Sequence, residues 1–450
     1  MGRSRIHAPR LRVVCLTVAS CLLAGLIASP VGAVADWSHP VNVSGVVNIG
    51  EESPLLNVDS AGNATAVWRR YRNGNLIFEN AVRQAGGRWS APSTAFGGLE
   101  DVYGLQIAVD PLGTETAVWG RRLGRFPVVQ SASRPAGGIW SPPVTLSAAG
   151  AGSAVVVDAD GEATAVWLLE REEGWRSVVQ SASRPAGGAW SAPVNLSSVR
   201  RAARSPQVAL DPEGGATAVW EEEYTDAVQS ASRPAGGSWS APVTLSAAGV
   251  GAAWPQVAVD PQGKATAIWA GTVFRGGRLR SSRVQSATRP VGGGWSAPVS
   301  ISKAGHRRVQ LPQVVVDSQG EATAIWQRSD GNDLVVQGAS RPAGEGWSAP
   351  VDITAGSGQG GQHQRLVVDP WGNATAIWVG YDSSHGTTFA IQAAKRPPRG
   401  AWSRPTDLSR RTKGVGEPQI AVDPQGRSTA IWAIGARGGT IIQAATSVRR

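Results

Sequence analysis

Residues 36–450 contain no cysteine, because the two cysteines of the chain, Cys15 and Cys21, lie near its N terminus. Disulfides therefore contribute nothing to the stability of that part, and zinc-binding Cys/His spacings are absent. Histidine is scarce, with five in 450 residues. There is no Gly-x-Ser-x-Gly, phosphate-binding loop or His-Glu-x-x-His. Carboxylates and tyrosine remain as catalytic groups, and we expect no cofactor and no metal ion.

The first 35 residues predict a signal peptide. A basic start precedes an apolar run at residues 13–27, and Ala33-Val34-Ala35 offers a small-x-small cleavage site. We expect cleavage after Ala35 and a secreted, extracellular protein. The alternative is a lipid anchor at Cys21, because residues 18–21 resemble a lipobox. The apolar run is too short for a comfortable membrane span, and no other stretch approaches one.

The charge is positive and almost entirely due to arginine. The net charge is +10, of which +6 belongs to residues 36–450, and lysine occurs at only four positions. Scarce lysine beside abundant alanine, glycine and arginine is typical of a GC-rich bacterial genome. The charge favours acidic glycans or anionic cell surfaces as partners, although codon bias explains arginine in place of lysine equally well. We expect no nucleic-acid partner.

One unit of roughly 50 residues is repeated eight times, which indicates a repeat architecture. In the sixth copy it contains Pro312-Gln313-Val314-Val315-Val316-Asp317, the return segment Ala322-Thr323-Ala324-Ile325-Trp326, then residues 336–342 and 347–354. Short apolar runs separated by Asp-x-x-Gly and Arg-Pro-Ala-Gly-Gly turns predict four antiparallel strands, a to d. Four such strands per unit are typical of a propeller blade.

Proline and the ends of the chain indicate how the ring is built. Every d segment has a proline at its fourth position, as in Pro40 and Pro92, and proline is tolerated at a sheet edge but not in its middle. Strand d is therefore outermost. The chain opens with a lone d segment at residues 36–44 and closes with a, b and c alone. The sequence predicts an all-β fold: one eight-bladed β-propeller over residues 36–450, closed by its N-terminal strand.

The segment Pro255-Gln256-Val257-Ala258-Val259-Asp260-Pro261-Gln262-Gly263 resembles the start of an NHL-type propeller repeat. Two enzyme classes share features with the chain. Sialidases carry an Asp-box on repeated hairpins, but Trp326 follows Gly320 too late to match it. Eight-bladed quinoprotein dehydrogenases share the Asp…Gly…Trp order, but the Thr-Gly step and the vicinal cysteines are missing here. The resemblance implies architecture and no particular chemistry.

Comparison of the eight copies separates two faces. The a–b and c–d turns are nearly constant and lie on one face, whereas the b–c and d–a loops vary and lie on the other, which we call the variable face. Binding residues concentrate in loops held by a rigid scaffold. We therefore predict a ligand site formed by aromatic and histidine residues of the variable loops: Tyr71, Tyr103, Trp175, Tyr224, Trp254, His306, His363 and Tyr381.

Repeated residues have two interpretations each. The sixteen repeat tryptophans could bind one sugar per blade, but fixed strand positions favour packing in the core. The arginine of the c–d turn, present in seven copies from Arg83 to Arg396, could form an anion-binding ring on the constant face. The interpretation we favour is that it caps local carbonyls and solvates the hairpin.

The function predicted from the sequence is an exported, non-catalytic, monomeric propeller that binds a glycan or an extracellular protein at the variable face. Aromatic rings with arginine and carboxylate neighbours suit either partner. The alternative is a secreted carbohydrate-active hydrolase or lyase that uses carboxylates. The candidates for that chemistry are Glu170, Glu172, Glu221 and Asp382.

Overall fold

The computed structural model describes residues 14–15, 19–20, 37–47, 53–72, 75–96, 102–122, 127–170, 177–223, 225–247, 249–276, 278–303, 305, 307–329, 331, 333–354, 359–382 and 388–447. It contains strands and turns but no helix in these ranges. Eight four-stranded antiparallel sheets form an eight-bladed β-propeller, which confirms the predicted fold. A further pair of short strands, β1 (Val14–Cys15) and β2 (Ala19–Ser20), lies in the predicted signal peptide.

The first four blades follow one another along the chain. Blade 1 has β4 (Leu55–Val58), β5 (Ala64–Arg72), β6 (Asn75–Arg83) and β7 (Ser93–Phe96). Blade 2 has β8 (Val102–Val109), β9 (Glu115–Arg122), β10 (Pro127–Arg134) and β11 (Val144–Ser147). Blade 3 has β12 (Ala151–Val157), β13 (Ala163–Glu170), β14 (Ser177–Arg184) and β15 (Val194–Asn195). Blade 4 has β16 (Ala203–Leu210), β17 (Ala216–Glu222), β18 (Ala227–Arg233) and β19 (Val243–Thr244).

The remaining blades repeat this order until the last. Blade 5 has β20 (Gly251–Val259), β21 (Ala265–Arg275), β22 (Arg278–Arg289) and β23 (Val299–Ser300). Blade 6 has β24 (Val309–Val316), β25 (Ala322–Ser329), β26 (Leu334–Arg341) and β27 (Val351–Asp352). Blade 7 has β28 (Gln359–Val368), β29 (Ala374–Asp382), β30 (Thr388–Arg396) and β31 (Thr406–Asp407). Blade 8 has β32 (Gln419–Val422), β33 (Ser428–Ala436), β34 (Gly439–Thr446) and, from the start of the chain, β3 (Val41–Asn42).

The strand order in every sheet is a-b-c-d, with the short d strand at the outer edge and strand a lining the central channel. The edge position explains the proline of each d segment. Strand b carries the core tryptophan, which is fully buried in all eight blades, as with Trp220 and Trp326. In five blades its indole N–H donates to the Gln or Glu opposite on strand c, as in Trp326 to Gln337 at 3.0 Å. The tryptophans of strands b and d pack between blades, as predicted.

The N-terminal strand closes the ring. Val41 pairs with Ala444 and Asn42 with Gln443, so β3 occupies the d position of blade 8. The Val43 N–H donates to the Ile442 carbonyl at 2.8 Å. Trp37 forms a bridge to Ser447 and packs against the core between blades 7 and 8. The junction thus joins residues 41–42 to the three C-terminal strands in one sheet.

The arginine of the c–d turn is a contact between blades, which corrects both sequence interpretations. In each of blades 1 to 7 it donates to the strand-b threonine of the preceding blade, as Arg341 does to Thr266 at 2.8 Å. The guanidinium of Arg341 also lies 5.2 Å from the ring centre of Trp347, the d-strand tryptophan of its own blade. Burial lowers the pKa of Arg341, so the charge is partly desolvated rather than displayed to solvent.

The interface between blades 7 and 8 lacks this arginine, because blade 8 has Ser447 at the equivalent position. There Lys395 of blade 7 lies 5.5 Å from the ring centre of Trp37. The hydroxyl of Ser428 lies 3.4 Å from that of Thr375. Thr375 is equivalent to the threonines that an arginine contacts at the other blade interfaces. The ring is therefore closed by a different set of contacts from those that join its other blades.

Candidate functional site

Six of the eight blades have a β-bulge in strand a, at its variable-face end. In blade 5, Ala253 pairs with Ala270 and Gln256 with Ile268, so Trp254 and Pro255 together oppose Trp269. The same two-against-one arrangement opposes the strand-b tryptophan in blades 2, 3, 4, 6 and 7. A bulge leaves the second residue unpaired, so Pro206, Pro255 and Pro312 fit there without losing a ladder bond.

The first residue of every bulge has a positive φ. It is glycine in blades 2 and 3, namely Gly104 and Gly152, as this conformation favours. Blades 4 to 7 place other residues there, with φ from 49° to 55°: Ser205, Trp254, Leu311 and His363. A bulky side chain in this region is an outlier that costs of order 1–3 kcal/mol. Ser53 and Glu417 occupy the equivalent sequence positions in blades 1 and 8. We call these eight positions the bulge ring.

Neighbouring blades hold the bulges in place. The Trp254 N–H donates to a carboxylate oxygen of Glu221 in blade 4 at 2.6 Å. The Leu311 carbonyl accepts from the side-chain amide of Gln364 in blade 7. The bulges of blades 5 and 6 are thus fixed by inter-blade hydrogen bonds.

One residue beyond the bulge, or at the equivalent position of blade 8, strand a places a polar side chain at the channel in six blades. In five blades this residue is glutamine, and in blade 7 it is arginine; together they form what we call the glutamine ring: Gln106, Gln207, Gln256, Gln313, Arg365 and Gln419. The amides of Gln106, Gln207, Gln256 and Gln313 have no hydrogen-bond partner among the residues that the structure describes. Each offers two donors and an acceptor to a molecule at the channel mouth.

Two cavities meet at the glutamine ring. The channel has a volume of about 320 Å³ and is lined below the ring mainly by aliphatic residues of the a strands, such as Val208 and Val315. A side cavity of about 300 Å³ lies beside it, at the variable-face end of blades 8, 1 and 2. Ser53, Gly104 and Glu417 of the bulge ring line this side cavity. Arg69, Gln106, Arg365, Glu417 and Gln419 line it beside the apolar Leu55, Val67 and Phe78, so the cavity is mainly polar.

A charged cluster borders the side cavity. A Glu417 carboxylate oxygen accepts from His363 Nδ1 at 2.8 Å, and the other lies 3.3 Å from an Arg365 guanidinium nitrogen. The hydrogen bond from His363 lowers the pKa of Glu417, and the charge of Arg365 lowers it further. Burial lowers the pKa of Arg365, and Glu417 opposes this shift. Glu417 is thus an ionised acceptor at neutral pH and not a proton donor.

The cluster predicts an acid-sensitive contribution to stability. Because folding lowers the pKa of Glu417, its contacts stabilise the fold above the ordinary carboxyl pKa of 4.5, and this is lost as pH falls through the lowered pKa. We expect the melting-temperature difference between wild type and Glu417→Gln to be present at about pH 5 and to close at lower pH. Glu345→Gln, which removes an exposed partner of Arg399, is the control. A difference that widens towards acid would contradict the assignment.

The structure describes five of the eight predicted site residues, and Trp175, Tyr224 and His306 lie outside the described ranges. Trp254 and His363 occupy equivalent positions of the bulge ring, in blades 5 and 7. The other three are tyrosines on separate blades. Tyr71 is 43% exposed at the end of β5. Tyr103 and Tyr381 pair across their own sheets with Gly120 and Gly360, whose lack of a side chain leaves room for the rings.

The tyrosine environments limit their chemistry. Burial and the nearby charge of Glu170 raise the pKa of Tyr103 to about 12, with Arg122 opposing the shift. Its phenol is therefore protonated at neutral pH and acts as a hydrogen-bond donor, not as a general base. The Tyr381 hydroxyl accepts from the Leu334 N–H of blade 6 at 2.7 Å, which links two blades.

The carboxylates considered for catalysis are distributed over several blades. Glu170 and Glu221 lie on the b strands of blades 3 and 4, and Asp382 lies at the end of β29 in blade 7. Glu221 is the acceptor for the Trp254 N–H. Glu172 lies outside the described ranges. Across those ranges, no group of three or more His, Cys, Asp or Glu side chains is arranged to hold a metal ion.

The glutamine ring and Glu417 were not predicted from the sequence. The glutamine that follows the bulge recurs in five copies, a polar residue in an otherwise apolar strand. That recurrence was the available signal, since a buried strand gives no structural reason for glutamine. Glu417 gave no signal of its own, because its role depends on His363 and Arg365 in the preceding blade.

Comparison with known proteins supports the fold. No protein-family model and no curated protein matches the sequence. A PL25 ulvan lyase structure matches with a TM-score of 0.52 and 11% identity, covering 90% of this chain and 97% of that one. The same lyase bound to -[GlcA(1-4)Rha3S]- matches with a TM-score of 0.50 and 11% identity, covering 90% of this chain and 97% of that one. The polysaccharide lyase Uly1 matches with a TM-score of 0.50 and 8% identity, covering 83% of this chain and 100% of that one. In the described ranges no helix could cross a membrane. At these identities the matches establish a shared propeller fold, whose structural neighbours include polysaccharide lyases.

Proposed function

We propose that this protein is an exported scaffold that binds a glycan at the variable-face mouth of its channel without turning it over. The observation that carries the proposal is the glutamine ring: amides on several blades surround one opening and lack protein partners in the described chain. Sugar hydroxyls both donate and accept hydrogen bonds, and so do amides. A bound glycan would satisfy several of them at once.

The bulge ring supports the same site. Four blades have a residue in a conformation that disfavours it, two positions before the glutamine-ring residue of the same strand: Ser205, Trp254, Leu311 and His363. Trp254 is partly buried against the core of blades 5 and 6, so its ring is held rigidly. Rigid aromatic rings provide contact area at low entropic cost, which suits the apolar face of a sugar. The carbohydrate-related structural neighbours on this fold support a glycan rather than a protein ligand.

The absence of turnover is the second part of the proposal. Glu417, which lines the side cavity, is held ionised by its partners, and Tyr103 is held protonated. A lyase or hydrolase needs an acid and a base whose pKa values suit proton transfer near neutral pH. Neither residue has that property, so these two side chains do not provide an acid and a base for turnover.

The test is a variant that removes two amides but keeps their volume. Gln256→Leu combined with Gln313→Leu removes two hydrogen-bonding groups, each worth about 0.5–1.5 kcal/mol. We expect glycan affinity to fall roughly tenfold or more. The control is Gln262→Leu with Gln425→Leu, two exposed glutamines of constant-face turns. Glycans are first selected on an array and affinities are then measured by titration calorimetry.

The same protein is assayed on a polysaccharide panel for release of reducing ends and of unsaturated products. Binding that depends on the glutamine ring, with no release, supports the proposal. Release that a single Glu or Asp substitution abolishes would establish the hydrolase or lyase instead. Binding that the double variant retains unchanged would place the site elsewhere.

A further inference from the structure

Trp254 has a backbone conformation that disfavours its own side chain. Its φ is 53°, in the left-handed region that glycine adopts at the same position of blades 2 and 3. It is also the largest of the residues at the first positions of the bulges. A bulky residue keeps such a conformation only when its surroundings impose it. The contacts of β20 identify the groups that do so.

Blade 4 binds the start of β20 through two hydrogen bonds. The Ala252 N–H donates to the Asp226 carbonyl at 2.6 Å. The Trp254 N–H donates to a carboxylate oxygen of Glu221, also at 2.6 Å. The bulge leaves Trp254 without a pairing partner in the register between β20 and β21. Glu221 therefore supplies the acceptor for an N–H that the sheet itself does not use.

The position of Glu221 directs its side chain to blade 5. Val219, two residues earlier on β17 and on the same side of the sheet, is buried in the core between blades 4 and 5. Glu221 directly follows the core tryptophan of its strand, Trp220. In the other seven blades the residue at this position is not acidic: Arg69, Gly120, Leu168, Ala270, Gln327, Val379 and Ala433. The carboxylate thus occurs next to the blade whose bulge begins with tryptophan.

The side chain of Trp254 is held separately from its backbone. It is half-buried and packs against the core that blades 5 and 6 share. Gln256 of the glutamine ring follows two residues later, a separation of about 7 Å along the strand. A sugar whose hydroxyls bind the Gln256 amide is then close enough for its C–H groups to contact the indole ring. Aromatic rings pack readily on such apolar surfaces.

We propose that Glu221 is a positioning residue for glycan binding: its carboxylate holds Trp254 in the conformation in which the indole ring stacks on the sugar bound by Gln256. The inference rests on the proposed function and names both the stacking ring and the residue that fixes it. Glu221 acts through the backbone of Trp254 and needs no contact with the glycan. The sugar at this position is a pyranose that presents C–H groups on one ring face.

The first experiment separates the acceptor of Glu221 from its volume and charge. The full-length protein, processed by its host, is titrated by calorimetry with a glycan selected on the array. We expect Glu221→Leu to weaken binding about tenfold, because the Trp254 N–H loses its acceptor. Glu221→Gln keeps an oxygen that accepts from this N–H, so its affinity stays within about twofold of wild type. The control is Glu223→Leu, which removes an exposed partner of Arg204 just after the same strand.

The second experiment tests whether Glu221 acts through Trp254. Trp254→Gly removes the ring and places at this position a residue that adopts a positive φ without strain. We expect it to weaken binding at least about tenfold, and Glu221→Leu added to it to change the affinity less than twofold. Hydrogen exchange of residues 250–256 gives a readout without ligand: exchange is faster in Glu221→Leu and unchanged in Glu221→Gln. If Glu221→Leu does not fold, Glu221→Ser, whose side chain is too short to reach Trp254, replaces it.

The outcomes separate this inference from the proposed function. Glycan binding that Glu221→Leu leaves unchanged would overturn the inference and leave the proposed function intact. A loss that persists in full in the Trp254→Gly background would also overturn it, because Glu221 would then act without Trp254. Equal losses in Glu221→Gln and Glu221→Leu would assign the effect to charge, with the same consequence. The absence of any glycan ligand would overturn the proposed function itself, and this inference with it.

Discussion

Deletion of residues 36–44 is expected to produce a chain that aggregates and does not unfold cooperatively. The deletion removes β3 with Trp37, Val43 and Ser44, the last two of which are buried. Burying one tryptophan contributes at most about 4–6 kcal/mol, comparable with the stability of a whole domain. The edge of β34 is then exposed along residues that now bond to β3, and unpaired edges promote association between chains. Size-exclusion chromatography and urea unfolding measure both effects.

A circular permutant provides the matched control. Residues 36–47 are moved behind Ser447 and joined to it by a copy of residues 135–139, the turn that connects the c and d strands of blade 2. The permuted chain starts at Asn48 and supplies the same strand from its other end. We expect it to be monomeric, with an unfolding midpoint near that of the wild type. A truncated chain that remains monomeric and unfolds in one transition at the wild-type midpoint would contradict closure by β3.

Arg396→Met is expected to destabilise the protein by about 3–5 kcal/mol, the cost of leaving a buried charge without its partner. Arg396 is 3% exposed and donates to Glu321 at 2.7 Å and to Thr323 at 2.6 Å. Glu321 is itself 6% exposed, so its carboxylate would lose its counter-ion in a desolvated site. Methionine has similar length, which limits cavity effects. Urea unfolding measures the loss.

Arg399→Met is the control for this prediction. Arg399 pairs with Glu345 across the surface, with both side chains well exposed, and such pairs contribute about 0–1 kcal/mol. Glu321→Gln added to Arg396→Met is expected to recover part of the loss, because the unpaired charge is gone. Equal losses for Arg396→Met and Arg399→Met would show that the contact between blades 6 and 7 is not a major source of stability.

The fold was predictable because the eight copies of the repeat can be compared with one another within one chain. Eight copies showed that proline recurs in the outer strand, and the split eighth copy indicated closure, which Val41 and Ala444 confirm. The role of the repeated arginine was not predictable from one copy, since its partner is a threonine in the preceding blade. Recurrence of the threonine in all eight units and of the arginine in seven was consistent with a contact within a hairpin as well as between blades.

The candidate site was predictable only in part. The variable-face rule led to Trp254 and His363, which share a bulge position. The bulge was not evident from the sequence, because the residues at its first position differ in type: Gly104, Ser205 and Leu311. Of these residue types, only glycine indicates a positive φ. The apolar pattern of strand a does not show that the strand contains one additional residue. The glutamine ring became evident once the strand was known to line a channel.

The most direct test of glycan binding at the channel mouth is a crystal structure of the protein with a glycan selected on the array. We predict sugar density at the variable-face end of the channel, with hydroxyl groups within hydrogen-bonding distance of Gln256 and Gln313. Density confined to the constant face or to the outer edges of the blades would contradict the proposal.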